Sequence, residues 1–192
     1  HGHHRRQRQM CIRDRFIGPL SESIRPHLSE DTHLLFSYHG LPVSHVKRID
    51  RSKAHCQTVE ACCTVKCEAN SLCYGRHCNE TTMAVVERLG LKPDQWSLSY
   101  QSRLGPVKWL EPSTTQMVEA LVKKGVKKLA IVAPAFLADG LETLEELDIG
   151  IREEFMEHGG TELKVINCLN DDEQWVRGLE QLIAKEFEQA VA

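Results

Sequence analysis

The sequence lacks a long hydrophobic segment, a large excess of charge of either sign and the usual phosphate-binding patterns. Its longest apolar stretch, 129–138, has ten residues and is interrupted by Pro134, whereas a membrane-spanning helix needs about 20 apolar residues. The 24 basic and 27 acidic residues nearly cancel, leaving a formal charge of −3, which gives no reason to expect a nucleic-acid partner. Neither GxGxxG nor GxxxxGK(S/T) occurs, so the familiar phosphate loops are excluded.

The composition indicates one globular domain behind an unrelated leader. Hydrophobic residues make up 41% and charged residues 27% of the 192 positions, which is ordinary for a single folded domain. Residues 1–15 (HGHHRRQRQMCIRDR) contain five arginines and three histidines, without apolar periodicity or the core of a secretory signal. We interpret 1–15 as a tag or an artefact and 16–192 as the domain, which we expect to be incomplete at its N-terminus.

Strand-like and helix-like segments alternate along the chain. Short apolar or alternating runs predict strands at 33–38, 96–101, 128–133 and 162–167. Segments with apolar residues at helical spacing predict helices at 78–89, 113–124, 141–157 and 171–187. The order predicts an α/β, Rossmann-like fold, with a four-stranded parallel sheet and helices on both faces. The apolar residues expected to face inward from the last two helices are Leu144, Leu147, Ile151, Trp175, Leu179, Leu182 and Ile183.

Ligands of such sheets bind beyond the C-terminal ends of the strands, which directs attention to loops 37–45, 101–112, 133–142 and 167–172. His39 ends the first predicted strand, and a histidine suits base chemistry near neutral pH. Taken alone, it is better explained as a hydrogen-bonded histidine in the core or at its edge. The second loop offers Arg103 as a partner for a carboxylate and Trp109 as a flat apolar face.

The third loop is rich in acids. Asp139, Glu142 and Glu146 are spaced i, i+3, i+7, which places them on one face of an α-helix and suits a divalent cation. The alternative is a capping arrangement, in which Asp139 is the N-cap and Glu142 occupies the third helical position. Together the loops offer a base, a cation, an aromatic face and carboxylates, a set that suits a metal and a flat, anionic substrate.

Three segments, FSYHGLP, QSRLGPVKWLEPST and APAFLADGLETLEELDIG, resemble in this order the signature segments of the ferrochelatase family. The resemblance runs from about Leu28 to Phe187 and covers only the C-terminal half of such an enzyme. It implies a chelatase-like fold and insertion of ferrous iron into protoporphyrin IX to form protohaem. Alternatives are a chelatase for another porphyrin, such as coproporphyrin, and an incomplete fragment that acts only as a metal-binding module.

The resemblance also implies roles for individual residues. It implies that His39 and Glu142 are catalytic, and that the incoming metal meets His39, Glu142, Glu146 and Asp148. Porphyrin contacts are expected from Arg103, Leu104 and Trp109. Gly140 departs from the family, in which histidine or cysteine stands there. The further expectations are a cytoplasmic location, with peripheral membrane contact and a homodimer as open alternatives.

Six of the eight cysteines lie between Cys56 and Cys78, among charged neighbours that predict an exposed segment. No pair is spaced C-x2-C, and the ferredoxin spacing C-x4-C-x2-C is absent. An iron–sulfur cluster, zinc and free thiols all stay open on spacing alone. Many ferrochelatases carry a 2Fe-2S cluster, and by this resemblance our expected ligands are Cys56, Cys63, Cys73 and Cys78. Cys62 is able to replace a neighbour, and the expected non-ligands are Cys11, Cys67 and Cys168.

Overall fold

A parallel sheet of four strands forms the centre of the molecule, which a computed structural model describes for residues 14–191. The strands are β1 (Thr32–His39), β2 (Trp96–Gln101), β3 (Lys128–Val132) and β4 (Glu162–Val165). Their spatial order is β2-β1-β3-β4, and every neighbouring pair is parallel. The predicted α/β class and the four-stranded parallel sheet are therefore confirmed, with strand bounds that differ by at most two residues.

Helices connect the strands and cover both faces of the sheet. They are α1 (14–24), α2 (Val43–Lys47), α3 (Tyr74–Leu89), α4 (Thr114–Lys123), a π-helix (Glu142–Ile151) that continues into α5 (Arg152–Glu157), and α6 (Glu173–Val191). Within residues 14–191, none of these helices combines the length and the apolar character that a bilayer span requires.

Two hydrophobic cores flank the sheet because successive side chains of β1 point to opposite faces. Phe36 joins Val85 of α3 and Trp175 of α6 in one core. Leu35 joins the other core, which contains Val118 of α4. Both cores are shielded from water, which explains why β1 is apolar on both of its faces rather than alternating.

The helix predicted at 141–157 is a π-helix over its first ten residues, and this changes which side chains face inward. Thr143, Leu147 and Ile151 are buried, whereas Leu144 is 56% exposed. A π-helix bonds i to i+5 and has a wider turn than an α-helix, so burial repeats every four residues. The prediction that Leu144 faces the core is therefore wrong.

The inward face of α6 also differs from its prediction. Trp175 and Gly178 are buried and Leu182 is half-buried, but Leu179 and Ile183 are exposed. A Cβ atom at Gly178 would lie 3.1 Å from the carbonyl oxygen of Arg15 in α1. The close approach of α1 fixes the rotation of α6, and the expectation for Leu179 and Ile183 is wrong.

The N-terminal helix α1 was missed, although Ile17, Leu20 and Ile24 are buried at helical spacing. Most of the expected leader, including Cys11, lies outside the described residues. Its last two residues, 14 and 15, belong to α1. The boundary at residue 15 therefore falls inside a helix, and the origin of residues 1–13 stays a prediction.

Candidate functional site

The loops that follow β1 and β2 are fastened to each other at the C-terminal edge of the sheet. Pro42 and Trp109 form an antiparallel bridge. On either side of it, the backbone N–H of Val43 donates to Lys108 at 2.8 Å, and that of Leu110 donates to Leu41 at 3.0 Å. A Cβ atom at Gly40 would lie only 2.7 Å from the backbone carbonyl oxygen of Gln101 and 3.4 Å from the ring of Trp109, so glycine is what permits the close approach of the β2 backbone.

His39 is the last residue of β1 and is half-buried at this edge. Its imidazole packs edge-on against the ring of Phe136, with ring centroids 6.0 Å apart. Within residues 14–191, no hydrogen bond to the imidazole is formed. The backbone carbonyl of His39, by contrast, accepts a hydrogen bond of 2.7 Å from the hydroxyl of Tyr74 in α3. The backbone is held while the ring nitrogens keep their capacity to bind a proton or a metal.

Glu142 begins the π-helix, and Gln101 holds it from β2. The buried amide of Gln101 donates to the carbonyl oxygen of Glu142 at 2.9 Å and accepts from the hydroxyl of Ser37 at 2.7 Å. The carboxylate of Glu142 would lie 3.4 Å from a Cβ atom at Gly140. The absence of a side chain at Gly140 therefore leaves space directly beside this carboxylate.

The other acids of the third loop are engaged by separate partners. Both carboxylate oxygens of Glu146 accept hydrogen bonds from Ser102. Asp148 forms an ion pair with Arg152 one turn further along. Glu142 and Glu146 stand four residues apart on the wide turn of the π-helix, but no single face carries all the acids.

Asp139 belongs to a different cluster, at the end of β4. It accepts hydrogen bonds from the amide of Asn170 at 2.7 Å, the backbone N–H of Cys168 at 3.1 Å and the hydroxyl of Thr143 at 3.1 Å. Burial raises the pKa of Asp139, but these donors together lower it further than burial raises it. The predicted grouping with Glu142 is wrong. So is the capping alternative, since no side chain caps this helix.

The residues expected to contact a porphyrin differ in their exposure and in their contacts with the rest of the protein. The guanidinium of Arg103 donates to the carbonyl of Leu110 at 3.2 Å and lies 3.9 Å from Glu111. Leu104 is 82% exposed. Trp109 is half-buried, and its indole nitrogen is buried without a hydrogen-bond partner. Leu104 is thus open to a ligand, while Arg103 and Trp109 are held by the protein.

Five exposed apolar side chains follow β2 and β3, in the loops and at the start of the π-helix. They are Leu104, Val107, Leu137, Leu141 and Leu144, which we call the apolar rim. Apolar side chains exposed together characterise ligand grooves and protein interfaces. Among residues 14–191, no three His, Cys, Asp or Glu side chains are grouped so that they could hold a metal ion.

The cysteine-rich segment, 56–78, follows α2. It consists of turns and bends up to Cys73, and its last part, including Cys78, belongs to α3. Asp50 organises its first part. One carboxylate oxygen accepts the N–H groups of His55 and Cys56 at 2.9 and 2.8 Å, and the other accepts the N–H and hydroxyl of Ser52. These donors, the Ser52 hydroxyl above all, hold the pKa of Asp50 well below its usual range.

Four thiols converge at the start of α3. Cys56, Cys62 and Cys73 line one small cavity, and the sulfur atoms of Cys62 and Cys63 are 3.8 Å apart. A Cβ atom at Gly75 would lie 3.0 Å from the sulfur of Cys63. A hydrogen bond from Cys63 and the N–H groups of the first helical turn lower the pKa of Cys73 below its usual range, although burial of the thiol acts in the opposite direction.

The remaining thiols of the segment have other neighbours. Cys78 is enclosed in α3 beside Tyr74, and burial raises its pKa to about 12. The sulfur of Cys67 lies 3.6 Å from the imidazole of His55. The expectation that the segment is too polar to be buried is wrong for Cys56, Cys73 and Cys78.

Sequence reasoning missed several residues that position this edge, namely Asp50, Tyr74, Gln101 and Ser102. Their roles arise from hydrogen bonds between segments 35 to 44 residues apart in the cases of Tyr74, Gln101 and Ser102. Gln101 and Ser102 could have been found from the local sequence, because the tripeptide QSR (101–103) stands at the predicted end of a strand.

The fold and this edge define a class: α/β proteins with a parallel sheet whose C-terminal strand ends carry the functional side chains. The ferrochelatase family model matches residues 5–187. The ferrochelatase of Pseudomonas syringae pv. syringae is 44% identical over 168 residues, which are 87% of this chain and 49% of that relative. The ferrochelatase of Pseudomonas fluorescens is 44% identical over 169 residues, which are 87% of this chain and 50% of that relative. This chain belongs to the ferrochelatase family.

The chain spans about half the length of the curated relatives it matches. Among solved structures, a cobalamin (vitamin B12) biosynthesis CbiX protein from Marinobacter aquaeolei is 17% identical, with a TM-score of 0.47. That match covers 82% of this chain and 98% of the other. A similarity of this size carries no inference about function.

Proposed function

We propose that this chain forms the C-terminal half of a ferrochelatase, a lyase that inserts ferrous iron into protoporphyrin IX to give protohaem. The observation that supports it most is the convergence of the three family segments at one sheet edge. His39, Gln101 and Glu142 are joined there by strand register and a hydrogen bond. Both iron and porphyrin are substrates of this reaction.

Metal insertion requires the porphyrin to lose its two pyrrole protons as the iron enters. His39, with no hydrogen bond to its ring within residues 14–191, is suited to accept a proton or to coordinate the incoming iron. Glu142, with open space beside it at Gly140, is suited to hold the cation or to pass a proton on. Bending the macrocycle would expose its nitrogen lone pairs, a form of substrate distortion.

The apolar rim supports the choice of a flat, apolar substrate. Leu104 would press on the macrocycle, Trp109 would provide a fixed aromatic face, and Arg103 would meet a propionate. Metal roles for Glu146 and Asp148 stay predictions, because iron would compete with Ser102 and Arg152 for their carboxylates.

We propose a structural 2Fe-2S cluster in the cysteine-rich segment. Such a cluster takes four thiolates divided between two irons, and it therefore needs no group of three donors around one ion. The convergence of Cys56, Cys62, Cys63 and Cys73 at the start of α3 suits it. The ligands would be Cys56, Cys63, Cys73 and a fourth residue, for which Cys62 competes with Cys78. Electron transfer is not part of metal insertion, so the cluster would stabilise the segment.

A second function is a metal-binding module without chelatase activity. It is favoured by the fact that the chain spans about half of its relatives' length. Insertion measured on this chain and on a full-length parent separates the two functions.

We also propose a cytoplasmic location, with the apolar rim as the surface for any peripheral membrane contact. The tests are fractionation and flotation with lipid vesicles. The homodimer is a proposal that sedimentation would test.

The first test is His39→Ala in a full-length enzyme that contains this half. We expect loss of iron insertion of about 10²-fold or more, the size typical of a lost acid–base group. His45→Ala is the matched control, because His45 is exposed on α2. Insertion is followed by porphyrin fluorescence and folding by circular dichroism. Near-normal turnover of a folded His39→Ala enzyme would refute the catalytic role.

A further inference from the structure

Ser102 grips both carboxylate oxygens of Glu146. Its backbone N–H donates to one oxygen at 2.6 Å, and its hydroxyl donates to the other at 2.7 Å. Ser102 has a φ of +62°, a left-handed conformation that costs a non-glycine residue free energy and persists where surrounding contacts enforce it. The strained backbone is what directs both donors at the same carboxylate.

The residues on the two sides of Ser102 differ in burial. Gln101, just before Ser102, is buried and tied to Ser37 of β1, whose hydroxyl lies 2.8 Å from that of Thr114 in α4. Residues 103–108, just after Ser102, are all exposed. Ser102 therefore lies between the buried, hydrogen-bonded end of β2 and an exposed loop. At this position it holds the carboxylate of Glu146.

We propose that Ser102 and Glu146 form a latch, which couples the 102–109 loop to the π-helix. Ser102 is then a positioning residue that acts on Glu142 through the helix. The catalytic consequence rests on the proposed function: a porphyrin that displaces Leu104 shifts Ser102, and the latch passes this displacement to the helix that carries Glu142. In this assignment Glu146 accepts hydrogen bonds and does not ligate iron.

Hydrogen exchange on the full chain, without substrate, tests the latch itself. Ser102→Ala and Glu146→Gln should each speed amide exchange by about tenfold, the size expected for lost hydrogen bonds to a charged group. The increase should appear in both 102–110 and 142–151, whichever side is mutated. Glu145→Gln, an exposed acid of the same helix, should change neither segment. The double variant should exceed the single variants little, because Ser102→Ala removes the hydroxyl donor, and Glu146→Gln weakens the acceptor, of the same hydrogen bond.

Faster exchange confined to the mutated segment would overturn the latch. In the full-length enzyme, Ser102→Ala and Glu146→Gln should each lower kcat and leave the KM for iron unchanged. A raised KM for iron in Glu146→Gln alone would overturn the latch in favour of direct ligation. If the full-length parent inserts no iron, the proposed function fails while the exchange result still decides the latch.

Discussion

Glu142 and Glu145 are two carboxylates of one helix with different surroundings. Glu142 is half-buried, its carbonyl is held by Gln101, and the space beside its carboxylate opens at Gly140. Glu145 is exposed. A difference in function between Glu142 and Glu145 would therefore come from their positions relative to the C-terminal edge of the sheet, because both are glutamates.

In a full-length enzyme, Glu142→Gln should reduce iron insertion by about 10²-fold or more, because the amide neither carries a proton nor neutralises a cation. Glu145→Gln should keep near-normal turnover and serves as the control. Thermal unfolding measured on both variants separates catalysis from stability. Equal losses of turnover in the two variants would contradict a specific role for Glu142.

At the scale of elements, the sequence predicted strands better than helix faces. β1 to β4 were found because each is a short run with strong β-formers or alternation. The π-helix was treated as an α-helix, since its extra residue per turn leaves no mark on composition. Leu144 was placed inward for this reason, and Asp139 was grouped with acids that it does not meet.

The widened turn leads to a stability prediction for a pair of leucines. Leu147→Ala should lower the free energy of unfolding by about 2–5 kcal/mol, because Leu147 is fully buried and truncation leaves a cavity. Leu144→Ala should change it by less than about 0.5 kcal/mol, as expected for an exposed position. Denaturant titrations of both variants measure the difference. Equal costs would mean that the helix has α-helical periodicity in solution.

At the scale of the whole molecule, the predicted parallel topology was sufficient to locate the edge of the sheet that carries the candidate site. Once strand order is known, the strand ends select His39, Gln101 and the start of the π-helix. The hydrogen bonds that aim these side chains were not predictable, because they join distant segments and depend on exact strand register. The sequence likewise showed that the thiols cluster but not which of them meet.

The metal content of the purified protein is the prediction at this scale. We expect a red-brown protein with iron and inorganic sulfide in equal amounts. Replacement by serine at Cys56, Cys63 or Cys73 should abolish the colour, and Cys67→Ser is the control that keeps it. Comparing Cys62→Ser with Cys78→Ser identifies the fourth ligand. Stoichiometric zinc without sulfide would exclude the cluster and leave the roles of His39 and Glu142 unaffected.

The hydrogen bond from Tyr74 to the carbonyl of His39 connects the cysteine-rich segment to the sheet edge. Tyr74 is the first residue of α3 and directly follows Cys73. Oxidation or alkylation that displaces Cys73 would withdraw the tyrosine hydroxyl and leave a strand-end carbonyl without its donor. Chemical damage to the Cys73 thiol would then displace the backbone of His39. The alignment of the His39 imidazole therefore depends on an intact cysteine-rich segment.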